Sequence, residues 1–275
     1  MEVLAVDVGG TRTKWGLFKN EKLVESGAQP TPPDPRELME LMASLPRADS
    51  LAVAFAGFLH QGAIAFCPNM PRFQGFALKH ELEEVLGLPV VVANDADCFT
   101  LGEAVFGSGK DAETVLGITL GTGVGSGIVV NKRIFRGAGF AGEMGHISVD
   151  PNGPGCNCGR KGCLEAFIGE KHFAARFGYA SAKQAYQARD ESAWNFYGEK
   201  LGAALADAVN LIDPGLVVIG GGVSAAFDLF EKAMLKQLET GVVAYESRGI
   251  RVVRSSLGSA AGLYGGFALV SQNGN

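Results

Sequence analysis

The chain has 275 residues, 47% of them hydrophobic, and a formal charge of −5 from 24 Lys and Arg against 29 Asp and Glu. That is enough apolar residue for the core of one large or two medium domains. Basic residues spread along an acidic chain give no electrostatic reason to expect nucleic acid. No apolar run approaches the ~20 residues needed to span a bilayer. The sequence opens on Val3-Leu4-Ala5-Val6-Asp7 without a basic, apolar and cleavable leader. The expectation is therefore a cytoplasmic protein acting on small molecules, with no membrane partner and with its five cysteines reduced.

Residues 2–8 are an apolar run ending at Asp7. Gly9-Gly10-Thr11 then turns the chain into a second strand, 13–18. Such a tip can bring backbone N–H groups close to phosphate oxygens while Asp7 faces a Mg²⁺ ion or its water, although a bare Gly-Gly turn is also an ordinary hairpin turn. Lys14 stands either near phosphate or in solvent at the strand end. A helix is expected over 35–45, with Leu38, Leu41, Met42 and Leu45 as core, followed by strands over 51–56 and 63–66 with a turn at 58–62. Residues 67–76 hold two prolines and a glycine and read as an irregular loop from which Asn69 projects.

After a helix over 78–86, the β-branched run Pro89-Val90-Val91-Val92 delivers Asn94-Asp95-Ala96-Asp97 to the start of a helix ending near Val105. Polar residues there occupy the position where open α/β sheets bind ligands. Asp97 reads as a helix-capping or dipole-compensating residue. For Asp95, capping and catalysis compete on local sequence alone. A second strand and glycine turn follows, 114–120 with Gly121-Thr122-Gly123-Val124-Gly125-Ser126-Gly127. It is neither a P-loop nor a dinucleotide fingerprint, because no Gly-Lys-Ser/Thr closes it and a strand follows it.

Residues 142–165 gather one His and three of the five Cys in a glycine-rich loop. His146, Cys156, Cys158 and Cys163 make a Cys₃His set for a tetrahedral Zn²⁺ with no open position, hence a structural ion, and leave Glu143 and Glu165 free for other work. Helix is expected over 164–177, 182–188 and 191–212, the last stopped by Pro214. A buried strand, 216–219, leads into Gly220-Gly221-Gly222, where a flat ring can lie close to backbone, and then to a helix over 227–238. A last strand at 250–253 and a Gly/Ala-rich closing helix over 260–270, suited to tight packing, complete the chain.

Taken together, these stretches resemble the ROK family of sugar kinases, within the actin, Hsp70 and hexokinase superfamily. Asp7 to Lys14 is similar to that family's first phosphate motif, Leu120 to Gly127 to its second and Ile219 to Gly222 to its adenosine motif. Gly142-Glu-x-Gly-His146 with Cys156-x-Cys-Gly-x-x-Gly-Cys-x-Glu165 is similar to its signature. The resemblance implies a two-domain α/β, actin-like (ribonuclease H-like) fold with an interdomain cleft. Residues 1–95 and 259–275 would form the smaller domain and 96–258 the larger. It implies ATP and Mg²⁺ as cofactors beside structural Zn²⁺, and a homodimer. Asp95 would be the general base taking the proton from a sugar hydroxyl, O6, and Asn94, Glu143, His146 and Glu165 would hold the other hydroxyls, with Asn69 as a further contact. Gly9, Gly10, Thr11, Gly121, Thr122, Gly123, Gly220, Gly221 and Gly222 would receive the nucleotide with Asp7 and Lys14. Glucose is the expected substrate. N-acetylglucosamine, N-acetylmannosamine, mannose and fructose are the alternatives, and a sugar-sensing repressor is the remote one. Ala56-Gly57 departs from the Pro-Gly that many members carry.

Overall fold

The run Val3-Leu4-Ala5-Val6 is buried along its whole length, which makes β1 (Glu2–Val8) a central strand. In the computed structural model, which describes residues 1–273, it pairs antiparallel with β2 (Arg12–Lys19), which pairs in turn with β3 (Lys22–Pro30). Helix α1 (Pro35–Ser44) is capped by the Asp34 carboxylate, which accepts from the N–H of Glu37 at 3.1 Å. It leads to β4 (Ser50–Phe55), buried at every position and parallel to β1. A hairpin of β5 (Phe58–His60) and the expected strand β6 (Ala63–Phe66) follows; β5 stands where the sequence suggests a turn over 58–62. Gly57 before it and Gly62 shortly after it disguise the short strand. Helix α2 (Leu78–Leu86) then leads to β7 (Val90–Asn94), parallel to β4. The sheet order is β3-β2-β1-β4-β7.

Helix α3 (Asp95–Phe106) crosses to a second sheet of the same design. Strands β8 (Thr114–Leu120), β9 (Val124–Val130) and β10 (Arg133–Ile134) form its antiparallel part. The chain then runs through the Cys-containing loop. Next come α4 (Glu165–Ile168), α5 (Glu170–Arg176), α6 (Ala182–Ala188) and α7 (Glu191–Ile212). The single helix expected over 164–177 is divided at Gly169, and just after it Glu170 N–H donates to the Gly121 carbonyl at 3.0 Å. Strand β11 (Leu216–Gly220) pairs parallel with β8, and after α8 (Phe227–Gly241) and α9 (Tyr245–Arg248), β12 (Arg251–Arg254) pairs parallel with β11. The order is β10-β9-β8-β11-β12, so the hairpin-plus-parallel-strands plan is built twice.

The closing helix α10 (Ala261–Asn273) returns to β1 and β4 and packs against α3, which itself lies on β8 and β9. These two helices form the layer between the sheets. Their backbones approach through glycine: a Cβ on Gly265 would run into the carbonyl of Cys98, and one on Gly102 into that of Ala261. At the return crossover the buried Glu103 carboxylate accepts from Leu257 N–H at 2.9 Å, Ser255 hydroxyl at 2.5 Å and Ser108 N–H at 2.9 Å. An unpaired buried carboxylate would be costly; this one is satisfied by the segment it pins. Leu38, Met42, Leu78 and Leu82 fill the core outside the first sheet, and Trp194, Tyr197, Phe173 and Phe230 that outside the second. No helix among the described residues is long and apolar enough to cross a membrane.

Candidate functional site

Because both sheets place their parallel strands' carboxyl ends and their glycine hairpin tips on the same side, a cleft of about 660 Å³ opens between them. The first tip contributes Gly10 and Thr11, the second Gly121, Thr122 and Gly123, and the turn after β11 contributes Gly221 and Gly222. A Cβ on Gly10, Gly121 or Gly222 would meet nothing, so backbone there is open to a ligand. Asn69, Asn94, Asp95, Glu143, His146 and Glu165 line the same cleft. Asp7, Gly9, Lys14 and Gly220 do not line it. Lys14 is turned toward Asp7, its ammonium 3.5 Å from the carboxylate and 3.3 Å from the carbonyl of Ser259.

Asn94 ends β7 and begins α3, and its side chain works in both directions. Its Oδ1 caps the helix, accepting from Ala96 N–H at 2.8 Å and Asp97 N–H at 3.2 Å, while Nδ2 donates to the Gly57 carbonyl at 3.1 Å. One amide hydrogen is left for a ligand. Capping therefore belongs to Asn94, and of the role expected for Asp97 only dipole compensation remains, as an acidic residue in the first turn of α3. Asp95 is held beside it with its carboxyl pushed up to about 6, first by burial and then by the negative charge of Asp7; Lys14 acts the other way. Burial likewise pushes Asp97 up to about 7, against the pull of Arg136. Glu143 rises to about 7 through burial and then through Asp97, Asp95 and Glu165. Asp95, Glu143 and Glu165 line one cleft, and the charges of Asp95 and Glu165 add to burial in raising Glu143.

The Cys-containing loop forms one wall. The donor atoms of His146, Cys156, Cys158 and Cys163 all lie within 4.8 Å of one another. Cys158 and Cys163 sulfurs are 3.6 Å apart, and Cys156 Sγ is 3.7 Å from His146 Nδ1. Thiolates about 2.3 Å from one ion in a tetrahedron stand at such separations, so the donor set fits zinc. The loop is closed on itself by Cys156 N–H to the Arg160 carbonyl (2.8 Å) and Gly159 N–H to the Cys156 carbonyl (3.0 Å). Arg160 donates to the His146 carbonyl at 3.0 Å. With Nδ1 among the sulfurs, His146 keeps Nε2 for the cleft, and its ring stacks with Phe58, centroids 6.2 Å apart. Phe58 was not singled out from sequence. Its place in a segment read as a turn hid it.

Residues 3–273 match the ROK family. The chain is 32% identical over a gapped alignment of 310 positions to a glucokinase from Streptomyces coelicolor, covering 95% of each chain. It is 31% identical over a gapped alignment of 293 positions to an N-acetyl-D-glucosamine kinase from Vibrio vulnificus, covering 94% of this chain and 96% of the relative. In structure it is similar to a ROK family glucokinase from Streptomyces griseus in complex with glucose and AMPPNP, with a TM-score of 0.85, 28% identity and coverage of 99% of this chain and 100% of that one.

Proposed function

The chain belongs to the ROK family, and has its actin-like α/β fold; from that premise we propose that it is an ATP-dependent hexokinase that transfers the γ-phosphoryl group to O6 of glucose. The observation that carries the reading is the position of Asp95, a buried carboxyl with a raised pKa in a cleft flanked by two glycine hairpin tips. Phosphoryl transfer asks little covalent work of a protein. It needs the acceptor hydroxyl held in line, a base within hydrogen-bond reach, and donors on the phosphate oxygens.

In this reading Asp95 takes the proton from O6, and Asn94, Glu143, His146 Nε2 and Glu165 hold the remaining hydroxyls. The tips at Gly9-Gly10-Thr11 and Gly121-Thr122-Gly123 offer N–H groups to the phosphates, and Gly220-Gly221-Gly222 receives the adenosine. Asp7 would hold Mg²⁺, which neutralises phosphate charge when bound. Zinc on His146, Cys156, Cys158 and Cys163 would stiffen a glycine-rich loop and so aim Glu143, His146 and Glu165. Residues 1–95 with the terminal helix form one lobe and residues 96–258 the other. Lys14, engaged with Asp7, is assigned to the electrostatics of that carboxylate.

An assay coupling ADP release to a panel of hexoses tests the reading, with turnover of glucose as the expected result. Silence with every hexose overturns it. Preference for N-acetylglucosamine over glucose would move the assignment to the activity of the Vibrio vulnificus relative.

A further inference from the structure

The second glycine stretch, residues 121–127, carries one buried hydroxyl among its glycines, that of Ser126, a residue only 6% exposed. A serine in such a stretch invites assignment to phosphate. Its place in the fold points elsewhere. Ser126 lies on β9 beyond the tip, and unlike Gly121, Thr122, Gly123 and Gly125 it does not line the main cleft. Its hydroxyl is turned onto the segment that leads into the Cys-containing loop, where it donates to the Gly142 carbonyl and accepts from the Met144 N–H at 2.8 Å. Those two groups stand on either side of Glu143, so one side chain holds the backbone before and after a residue that lines the cleft.

The backbone between the two bonds has a defined shape. Glu143 stands at φ −80° and ψ 54°, and the Met144 N–H also reaches the Gly142 carbonyl, at 2.9 Å. This is an inverse γ-turn with Glu143 at its centre. One N–H gains little against the entropy of ordering three residues. Burial and neighbouring negative charge moreover disfavour the ionised Glu143 carboxyl in the cleft, so without restraint it would turn toward water. The turn is seated closely on β9: a Cβ on Gly142, whose φ is +93°, would stand 3.2 Å from the Ser126 carbonyl, and one on Gly145 would run into the carbonyl of Val124. We propose that Ser126 is a positioning residue of the hexose site, its hydroxyl clamping the inverse γ-turn onto β9 and so fixing where the Glu143 side chain meets the sugar. The inference rests on the hexokinase reading, which makes Glu143 a sugar contact. Two neighbouring parts are held by other means. His146 has Arg160 on its carbonyl at 3.0 Å and Cys156 Sγ 3.7 Å from its Nδ1. The phosphate tip is closed by the Gly121 N–H on the Gly123 carbonyl at 3.0 Å. Loss of the Ser126 hydroxyl is therefore felt by the sugar and not by ATP.

The test uses the full chain and its variants Ser126→Ala, Gly142→Ala, Glu143→Ala and the double variant Ser126→Ala/Glu143→Ala. Glucose affinity is measured by calorimetry, and KM for glucose and for ATP by ADP release. Ser126→Ala removes both bonds with little change of volume. Gly142→Ala pushes the same turn off β9 from the other side, and decides the matter if Ser126→Ala does not fold. Each is expected to weaken glucose binding and raise its KM by about three- to tenfold, the scale of one or two buried hydrogen bonds, with the KM for ATP changed less than about twofold. In the Glu143→Ala background, Ser126→Ala should change glucose affinity by less than about twofold, because the hydroxyl has no carboxylate left to place. Undiminished glucose affinity, an equal loss toward ATP, or the full loss repeated in the Glu143→Ala background overturns the proposal while the hexokinase reading stands. A chain that binds no hexose loses the reading and this role together. Hexose binding without phosphorylation removes the kinase activity and leaves the role to be decided by the calorimetric comparison alone.

Discussion

The backbone N–H of Val124 donates to the Glu165 carboxylate at 3.0 Å. Val124 closes the second glycine tip, and Glu165 follows the last cysteine of the loop by two residues, so one hydrogen bond joins the wall proposed to hold sugar to the turn proposed to hold phosphate. Gly123 is pressed against the same carboxylate, and any side chain there would displace it.

This joint makes Glu165→Ala a variant with two effects. The KM for sugar should rise through the lost hydroxyl contact, and the KM for ATP should rise with it, each by about tenfold, the scale of one hydrogen bond to a charged group. Initial-rate kinetics with each substrate varied in turn separates the two. A change confined to sugar would mean that the Val124 contact does not hold the tip.

Asp95→Asn keeps the shape of the side chain and removes the base. Turnover should fall by ~10²–10⁴-fold, the contribution of a positioned general base, while calorimetric affinity for sugar stays within a few-fold. In the unsubstituted protein, kcat/KM should decline as pH drops through about 6, because the folded-state pKa marks the loss of the ionised base. Unchanged turnover in the variant, or a flat profile through that range, would falsify the assignment.

Asp97 should leave its mark on stability. Its carboxyl titrates at about 7 in the fold against an ordinary value of 3.8. A raised folded-state pKa favours the native state fully below pH 3.8, and that contribution is lost as pH rises to about 7. Above pH 7 the buried charge is a liability on the order of 2–4 kcal/mol. Asp97→Asn should therefore raise the Tm at pH 8 by roughly 5 °C or more and change it little at pH 4. Equal shifts at both pH values would show that the effect is not the charge.

The parts of this molecule readable from sequence are those written in local chemistry. The two hairpins announce themselves because glycine runs interrupt apolar runs, and the Cys₃His set because its spacing is short. Strand β3 (Lys22–Pro30) escaped because it is a half-exposed sheet edge, with Glu25, Ser26 and Gly27 where a buried strand would carry β-branched residues. The capping half of the Asp97 reading fails because capping depends on which of two nearby side chains turns back on the helix, and Asn94 takes both N–H groups. Arg136 and Phe140 reach a smaller cavity beside the main cleft from a segment distant in sequence, a relation that only the folded chain creates.

The metal prediction separates folding from chemistry. Cys158→Ser breaks the donor set without touching Asp95 or either glycine tip. Elemental analysis should find one zinc per unsubstituted chain and far less in the variant, with a lower Tm, since metal affinity in such a loop is also folding free energy. Sugar KM should rise more than ATP KM, because Glu143 and His146 lose their support. A variant with full activity and no metal would refute the idea that zinc shapes the site.

The two sheets meet on the layer of α3 and α10, whose backbones approach through glycine. Gly265 sits where any Cβ would collide with the Cys98 carbonyl, backbone that cannot move without shifting the turn carrying Asn94 and Asp95. Gly265→Ala should cost about 1–3 kcal/mol, the usual penalty of overpacking a tight core contact, and it should also lower kcat by displacing the proposed base. By contrast Gly249→Ala, at an exposed turn where a Cβ meets nothing, should cost little beyond its left-handed backbone strain and leave kcat alone. Chemical denaturation and steady-state kinetics on the pair decide the matter. A Gly265→Ala protein with unchanged kcat would mean that α3 absorbs the collision without moving Asp95, and that the small residues of the closing helix serve packing only.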